Sequence, residues 1–178
     1  NPIQNLTNLR NLNIRCNNIN NPEFKIDDIS AVKKLDKLYY FDFKVNNVSD
    51  ISVLRDKKNL QYLDFGGNRV SDISPLKDLK QLKGLAMYGN KISDISSISD
   101  LTNLTHLNFM DNSVVDISAL RGMTQLQYLN FMSNKVEDIS VIEDMSVLKS
   151  LYMYDNRIKD ITPLVDNENI KNGIYINM

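Results

Sequence analysis

The chain has 178 residues, no tryptophan, and a formal net charge of −1 from 21 basic and 22 acidic side chains. A charge this close to zero gives no electrostatic reason to expect nucleic-acid binding, and no apolar run is long enough to be inserted in a membrane. Cys16 is the single cysteine, so an internal disulfide is excluded. The lack of a disulfide is compatible with a cytosolic protein and equally with a secreted protein that has a large core.

Asparagine recurs along the chain at a fixed interval. From Asn46 onward the spacing is 22 residues each time, and an aspartate follows each of these asparagines after four residues. A fixed period in the twenties indicates one supersecondary unit stacked on copies of itself. The asparagines are Asn17, Asn46, Asn68, Asn90, Asn112, Asn134 and Asn156, and the aspartates are Asp50, Asp72, Asp94, Asp116, Asp138 and Asp160.

Each copy predicts a short strand followed by a compact crossover. The repeat from Leu82 to Asn103 reads LKGLAMYGNKISDISSISDLTN, and its Leu85-Ala86-Met87 segment alternates in and out as a strand does. The DIS-x-L-x-x-L segment returns the chain to the next parallel strand, and its shortness predicts a 3₁₀ turn. The predicted fold is therefore an α/β repeat, a leucine-rich repeat solenoid with a curved parallel β-sheet on the concave face and short 3₁₀ or helical turns on the convex face.

The repeated polar residues are predicted to be structural. The asparagine stands where the chain leaves the strand, and its side-chain amide can satisfy backbone groups of the turn, which predicts an asparagine ladder. The aspartate is expected to bond backbone in the adjoining turn; aspartates on successive coils lack the clustered ligands of a calcium loop, so no metal is predicted. The pairs Ser74-Pro75 and Thr162-Pro163 predict helix starts capped by the hydroxyl.

One unbroken pattern predicts a single leucine-rich repeat domain over residues 1–178, with about seven full repeats. Partial repeats stand at both ends: residues 1–8 match a crossover half, and Ile170 opens a strand half in which Gly173 replaces the second leucine. We therefore expect a fragment of a larger protein, with exposed apolar surface at the N-terminal coil. The full copies begin at Leu9, Leu38, Leu60, Leu82, Leu104, Leu126 and Leu148.

The first copy contains an insertion. Asn17 and Asp28 are 11 residues apart, and the additional residues lie within the segment 18–25. Insertions within single repeats form loops, and the Asn-Pro pair here predicts a turn. The loop is either tolerated decoration or part of a binding edge, and decoration is favoured because loops accept insertions at low cost.

Three columns of side chains are predicted to project from the concave face. Tyrosine is not required on a solvated sheet face, yet six tyrosines occupy these columns, with two methionines and one histidine. Tyrosine combines a large apolar body with a polar tip and is common at protein interfaces, although stacking between neighbouring strands would also account for it. The candidate partner-binding residues are Tyr40, Tyr62, Tyr88, His106, Met110, Tyr128, Met132, Tyr152 and Tyr154.

Other positions complete the prediction for the sheet. Asp42 and Asp64 should lie beside Lys44 as a polar rim, and His106 is expected to be an ordinary surface residue. Small residues should form a depression in the middle of the sheet: Gly66, Gly67, Gly84, Ala86 and Gly89. The column between the outward ones is apolar throughout and should be core: Ile14, Phe43, Phe65, Met87, Phe109, Phe131 and Met153.

No chemistry-bearing motif interrupts the repeats. The sequence contains no glycine-rich phosphate loop, no Cys/His metal spacing and no nucleophile motif. Cys16 and His106 lie several repeats apart, which argues against a Cys–His dyad. Neither an enzyme nor a cofactor is predicted.

The repeat resembles that of the internalins, which are bacterial surface leucine-rich repeat proteins. The likeness is carried by N-x-I-x-D-I-S, present from Asn90 to Ser96, and by the crossover run Ile98, Leu101, Thr102 and Leu104, and it extends over essentially the whole chain. In internalins the concave face binds a host protein, often through aromatic residues. The resemblance implies that role for the nine candidate residues, with an extracellular or cell-surface location and a part in adhesion or virulence.

Two alternatives stay open. Repeats of the same length and similar outline occur in an intracellular regulatory subunit of a protein phosphatase, which would make this chain a cytoplasmic scaffold. Tyrosines also stack on sugar rings, so the ligand could be a carbohydrate in place of a protein.

Overall fold

The computed structural model describes residues 2–16, 22–171 and 173–178. Among these residues, eight strands of three residues each form one parallel sheet, in which every strand pairs with the next one along the chain. The strands are β1 Asn11–Asn13, β2 Tyr40–Asp42, β3 Tyr62–Asp64, β4 Gly84–Ala86, β5 His106–Asn108, β6 Tyr128–Asn130, β7 Ser150–Tyr152 and β8 Tyr175–Asn177. The predicted leucine-rich repeat solenoid is confirmed.

The strands begin one residue earlier than predicted. The fourth strand is Gly84–Ala86, and its middle residue, Leu85, is 2% exposed. Backbone pairing nevertheless continues past the strand end, because the Met87 N–H donates to the Asn108 carbonyl at 2.8 Å. The in-and-out alternation therefore extends to Met87, which is fully buried.

The crossovers are 3₁₀ turns until the last one. Two short turns lie near the beginning of the chain, Pro2–Asn5 and Pro22–Phe24. The later crossovers are Ser30–Lys34, Ser52–Leu54, Ser74–Leu76, Ser96–Ile98, Ser118–Leu120 and Ser140–Asp144. The final crossover contains two short helices, α1 Thr162–Asp166 and α2 Glu168–Lys171. No helix among the described residues is long and apolar enough to cross a membrane.

The prediction of hydroxyl caps was wrong. Ser74 is the first residue of its turn, Ile73 occupies the cap position, and no side chain of the cap residue bonds the turn. The carboxylate of Asp72 accepts the backbone N–H of Ser74 at 2.8 Å instead. The same bond joins the aspartate to the turn in every crossover from Asp28 to Asp160, so the D-I-S motif is a repeated carboxylate cap.

The core lies between the sheet and the crossovers. The phenylalanines of the inward column are fully buried, and their rings stack between adjacent coils, with centroids 5.8 Å apart for Phe43–Phe65 and 6.0 Å for Phe109–Phe131. Ile14 departs from the prediction because it is only half-buried. In the same N-terminal coil, Leu6 is 52% exposed.

The asparagines link each coil to the previous one. The Asn68 amide donates to the carbonyls of Phe65 at 2.9 Å and Phe43 at 3.2 Å, and its oxygen accepts the Val48 N–H at 3.0 Å. The side chain thus bonds its own turn and two points of the preceding coil. Asn17 lies outside the described residues, and the same pattern recurs at Asn46, Asn90, Asn112, Asn134 and Asn156.

From Asn46 to Asn156, the residue before each ladder asparagine has a left-handed backbone. Gly67 and Gly89, with φ of 64° and 58°, form this turn. They do not line the depression in the sheet, which corrects their assignment to it. The equivalent residue in the second copy is Val45, with φ of 60°. A β-branched side chain is strained in this region, and the sequence pattern did not reveal it.

The insertion rejoins the repeat at Ile26. The Ile26 N–H donates to the Asn46 side-chain oxygen at 3.0 Å, as Val48 does to Asn68 one coil later. Residues 18–21 of segment 18–25 lie outside the described residues. Its described part contains the Pro22–Phe24 turn, in which Phe24 is 62% exposed.

The register of the last copy also differs from the prediction. Leu151 pairs with Ile176, so the second-leucine position is taken by Ile176 and not by Gly173. The helix α2 lengthens the crossover, and this shifts the final strand by three residues relative to the repeat. As a result Tyr175, which pairs with Ser150, joins the first outward column.

Candidate functional site

The candidate site is the outward side of the sheet, which we call the concave face. Its first column aligns through the strand register, in which Tyr40 pairs with Tyr62, Gly84 with His106, and His106 with Tyr128. In β1 to β7 the buried middle residue of the strand separates this column from the second one, which contains Tyr152. The third column lies two residues beyond each strand and alternates with the buried inward column: Tyr88, Met110, Met132 and Tyr154.

Aromatic rings form a continuous row over the C-terminal half of the concave face. The ring centroids are 6.1 Å apart for His106–Tyr128, 5.4 Å for Tyr128–Tyr152 and 5.2 Å for Tyr152–Tyr175. Tyr175 was missed by the sequence analysis, because the displaced register of the last copy hid its column. The row also shows that strand-to-strand stacking accounts for part of the tyrosine content.

Tyrosine rings cover some of the glycines on this face. A Cβ atom added at Gly66 would lie 2.2 Å from Cε1 of Tyr88, so the ring occupies that space and Gly66 opens no depression. At Gly84 the corresponding distance, to Cδ1 of Tyr62, is 2.9 Å. The predicted depression is present only around Gly84 and Ala86.

This depression, the Gly84 trough, has a volume of about 290 Å³. Its floor is formed by β4, which has only glycine and alanine at its outward positions. Tyr40 and Tyr62 line it from β2 and β3, and His106 and Tyr128 line it from β5 and β6. Asp64 and Asn108 supply polar atoms at its border. A partner side chain can therefore reach the sheet backbone between four aromatic rings.

The N-terminal half of the concave face contains an ion-pair cluster at the predicted polar rim. The Lys44 ammonium lies 2.8 Å from Asp64 Oδ2 and 3.2 Å from Asp42 Oδ2. The hydrogen bond to Asp64 raises the pKa of Lys44, so the ammonium stays charged over the accessible pH range. Burial raises the pKa of the Tyr40 and Tyr88 hydroxyls next to this cluster.

His106 is exposed and has a local partner. Its Nδ1 lies 2.9 Å from the Thr105 hydroxyl, which also donates to the Lys83 carbonyl at 3.0 Å. These contacts orient the imidazole at the side of the trough. Among residues 2–16, 22–171 and 173–178, no three histidine, cysteine or acidic side chains come together as a group that could hold a metal ion.

Comparison with known proteins agrees with this architecture. The family model for leucine-rich repeats (two copies) matches residues 58–101 and 102–144. A search of curated protein sequences finds no significant match. A solved leucine-rich repeat protein of Leptospira interrogans is 22% identical, with a TM-score of 0.81 over 99% of this chain and 44% of that one, and shares the fold.

Two solved internalins of Listeria monocytogenes are also similar. For the internalin inlF the identity is 35% and the TM-score 0.88, over 99% of this chain and 49% of that one. For internalin C2, inlC2, the identity is 30% and the TM-score 0.85, over 94% of this chain and 71% of that one. The chain thus spans about half the length of the first internalin. With this identity along a shared solenoid, the chain belongs to the internalin family of leucine-rich repeat proteins.

Proposed function

We propose that this chain is a non-enzymatic recognition module of a bacterial surface or secreted protein, and that it binds a host protein on its concave face. The internalin-like fold supports a protein–protein interaction module. The observation that carries the proposal is the large number of bulky side chains on the concave face, where they are not needed to form the core. Tyr62 and Tyr154 remain 37% and 43% exposed, so stacking within the sheet does not use up their surface.

A protein is favoured over a carbohydrate by the arrangement of the rings. His106 and Tyr128 are nearly parallel, with 17° between their planes, and Tyr152 lies between Tyr128 and Tyr175. A sugar stacks on a free aromatic face, whereas the His106 and Tyr128 rings are stacked on each other and the tyrosines beyond them are in tilted contact at 44°. Their edges and hydroxyls suit the mixed apolar and hydrogen-bonding contacts of a protein interface.

The test of the concave face is the binding of the labelled chain to cultured animal cells. One variant replaces four concave-face residues by alanine together: Tyr88, Met110, Met132 and Tyr154. The control variant replaces four exposed residues of the convex side by alanine: Asp56, Lys77, Ser99 and Arg121. We expect at least a tenfold loss of affinity for the first variant, since a few large side chains dominate most interfaces, and unchanged affinity for the control. Equal binding by the two variants would contradict a concave-face site.

The chemical class of the ligand is tested on the same cells. Protease treatment before binding should abolish capture of the chain, and enzymatic removal of surface glycans should leave it unchanged. The opposite pair of results would favour the carbohydrate alternative.

The location is tested by protease shaving of intact source cells. Release of the peptide 84–91 without cytosolic marker proteins would support the extracellular assignment. Protection of that peptide until lysis would support the intracellular scaffold instead.

A further inference from the structure

The Gly84 trough has an electrostatic character that restricts its occupant. Among its lining residues, all of which the structure describes, Asp64 is the one carboxylate, and there is neither a lysine nor an arginine. The other walls are the aromatic rings of Tyr40, Tyr62, His106 and Tyr128. Aromatic faces attract cations through the ring quadrupole, so the walls and the carboxylate favour the same sign of charge.

Asp64 is only partly satisfied by its neighbours. Its Oδ1 accepts the backbone N–H of Gly66 at 3.0 Å, and its Oδ2 accepts the Lys44 ammonium at 2.8 Å. An ionised carboxylate has about four acceptor sites, so Asp64, which lines the trough, can accept further hydrogen bonds. Lys44 also pairs with Asp42, so the group of two carboxylates and one ammonium has a formal charge of −1.

A docked partner would remove water from this carboxylate. An apolar side chain in the trough would leave the free acceptor sites of Asp64 dry and unpaired, at a cost on the order of a few kcal/mol. A side chain that brings hydrogen-bond donors and a positive charge avoids that cost. The partner's chemistry at this point follows from the need to satisfy Asp64 between aromatic walls.

We propose that the Gly84 trough receives the side chain of an arginine presented by the protein partner. This inference rests on the proposed function, because it concerns the partner of the same face. The planar guanidinium stacks on aromatic rings, is more weakly hydrated than an ammonium, and presents several donors to a carboxylate. The trough volume of about 290 Å³ admits such a flat group against the Gly84 and Ala86 floor.

The experiment titrates the isotope-labelled chain with N-acetyl-arginine amide and follows the backbone amide signals of Gly84 and Ala86 by NMR. N-acetyl-citrulline amide is the neutral isostere, and N-acetyl-leucine amide is the apolar comparison. We expect saturable shifts with the arginine probe at millimolar concentration, and at least about fivefold weaker binding of the other two.

Two variants locate the effect. Asp64→Asn should weaken the arginine probe about fivefold, because Asp64 lines the trough. Asp42→Asn removes the same charge from the group around Lys44 but does not line the trough, so it should weaken the probe less than about twofold. Gly84→Ala should also weaken it, because the added Cβ lies on the trough floor and displaces Tyr62. Unchanged backbone spectra elsewhere would show that each variant is folded.

Three results would overturn the proposal: no saturable shift at Gly84 and Ala86, equal binding of arginine and citrulline probes, or preference for the leucine probe. None of these results contradicts the proposed function. The proposed function fails only if the concave-face variant binds cells as well as the convex control does. A failed titration beside a successful cell-binding test would therefore reject arginine and keep the interface.

Discussion

The two sides of the sheet differ in how strictly they repeat. On the buried side the second to the seventh coils have the same parts: a leucine, a phenylalanine or methionine, and an asparagine that bonds the preceding coil. On the concave face no two neighbouring coils are alike, and the large residues change from an ion-pair cluster around Lys44 to an aromatic row from His106 to Tyr175. Repetition therefore marks what the fold needs, and variation marks what is available for recognition.

The strongest test of the buried side is Asn68→Ala. It removes the bonds donated to the Phe43, Phe65 and Gly66 carbonyls and the bond accepted from the Val48 N–H, and leaves these groups without that partner inside the protein. We expect the free energy of unfolding in urea to fall by about 3 kcal/mol.

The matched substitution is Asn103→Ala. The Asn103 amide donates one exposed bond to the Lys80 carbonyl at 2.8 Å, so its removal should lower the free energy of unfolding by less than about 1 kcal/mol. An equal decrease in the free energy of unfolding for Asn68→Ala and Asn103→Ala would show that the ladder asparagines contribute no more to stability than an exposed asparagine.

Lys57 breaks the rule that the buried side repeats. Its side chain is 1% exposed, and the equivalent position is leucine or methionine in the other 3₁₀ crossovers from Leu35 to Met145. The Lys57 ammonium donates to the Lys33 carbonyl at 2.6 Å and to the Asp36 carboxylate at 2.8 Å. We expect Lys57→Leu to raise the free energy of unfolding by about 1 kcal/mol, since an apolar side chain of similar size needs no desolvation of charge. Thermal unfolding measures this, and a loss of stability would show that the buried lysine is required.

Val45 is a second exception, at the turn before Asn46. Asparagine tolerates the left-handed backbone better than a β-branched residue does, so Val45→Asn should raise the free energy of unfolding by about 0.5–1 kcal/mol. Ser133→Asn, at the equivalent turn with φ of 53°, should change it by less than that, because serine is not β-branched. An unchanged or lower denaturation midpoint for Val45→Asn would refute strain at this residue.

The smallest expected effect concerns the carboxylate caps. The backbone hydrogen bond from Ser96 holds the pKa of Asp94 below its usual value of 3.8. Because the unfolded chain binds the proton more readily, this contribution to stability is complete above the unfolded pKa and is lost as pH falls through the folded pKa. Thermal melts should therefore show a smaller acid-induced decrease for Asp94→Asn, whose amide oxygen still accepts the Ser96 N–H. If the melting temperature of the original chain and of Asp94→Asn depends on pH in the same way, titration of Asp94 does not contribute to acid-induced destabilisation.

The sequence predicted the fold and the concave columns because both depend on periodicity. A 22-residue spacing determines which side chains share a face, whatever their identity. It could not predict that the Tyr88 ring covers Gly66, since that depends on a side-chain rotamer. It also could not show that α2 shifts the last strand and brings Tyr175 into the aromatic row, because a helix within a crossover breaks the period on which the prediction relied.

The measurement that tests the division between the two sides most directly pairs stability with cell binding for Phe131→Ala and Tyr154→Ala. Phe131 is fully buried, and Tyr154 is 43% exposed on the concave face. We predict that Phe131→Ala lowers the free energy of unfolding by about 3–5 kcal/mol and leaves binding per folded molecule intact. Tyr154→Ala should cost less than about 1 kcal/mol of stability and weaken binding about tenfold. A Tyr154→Ala protein that is strongly destabilised, yet binds normally per folded molecule, would contradict the account.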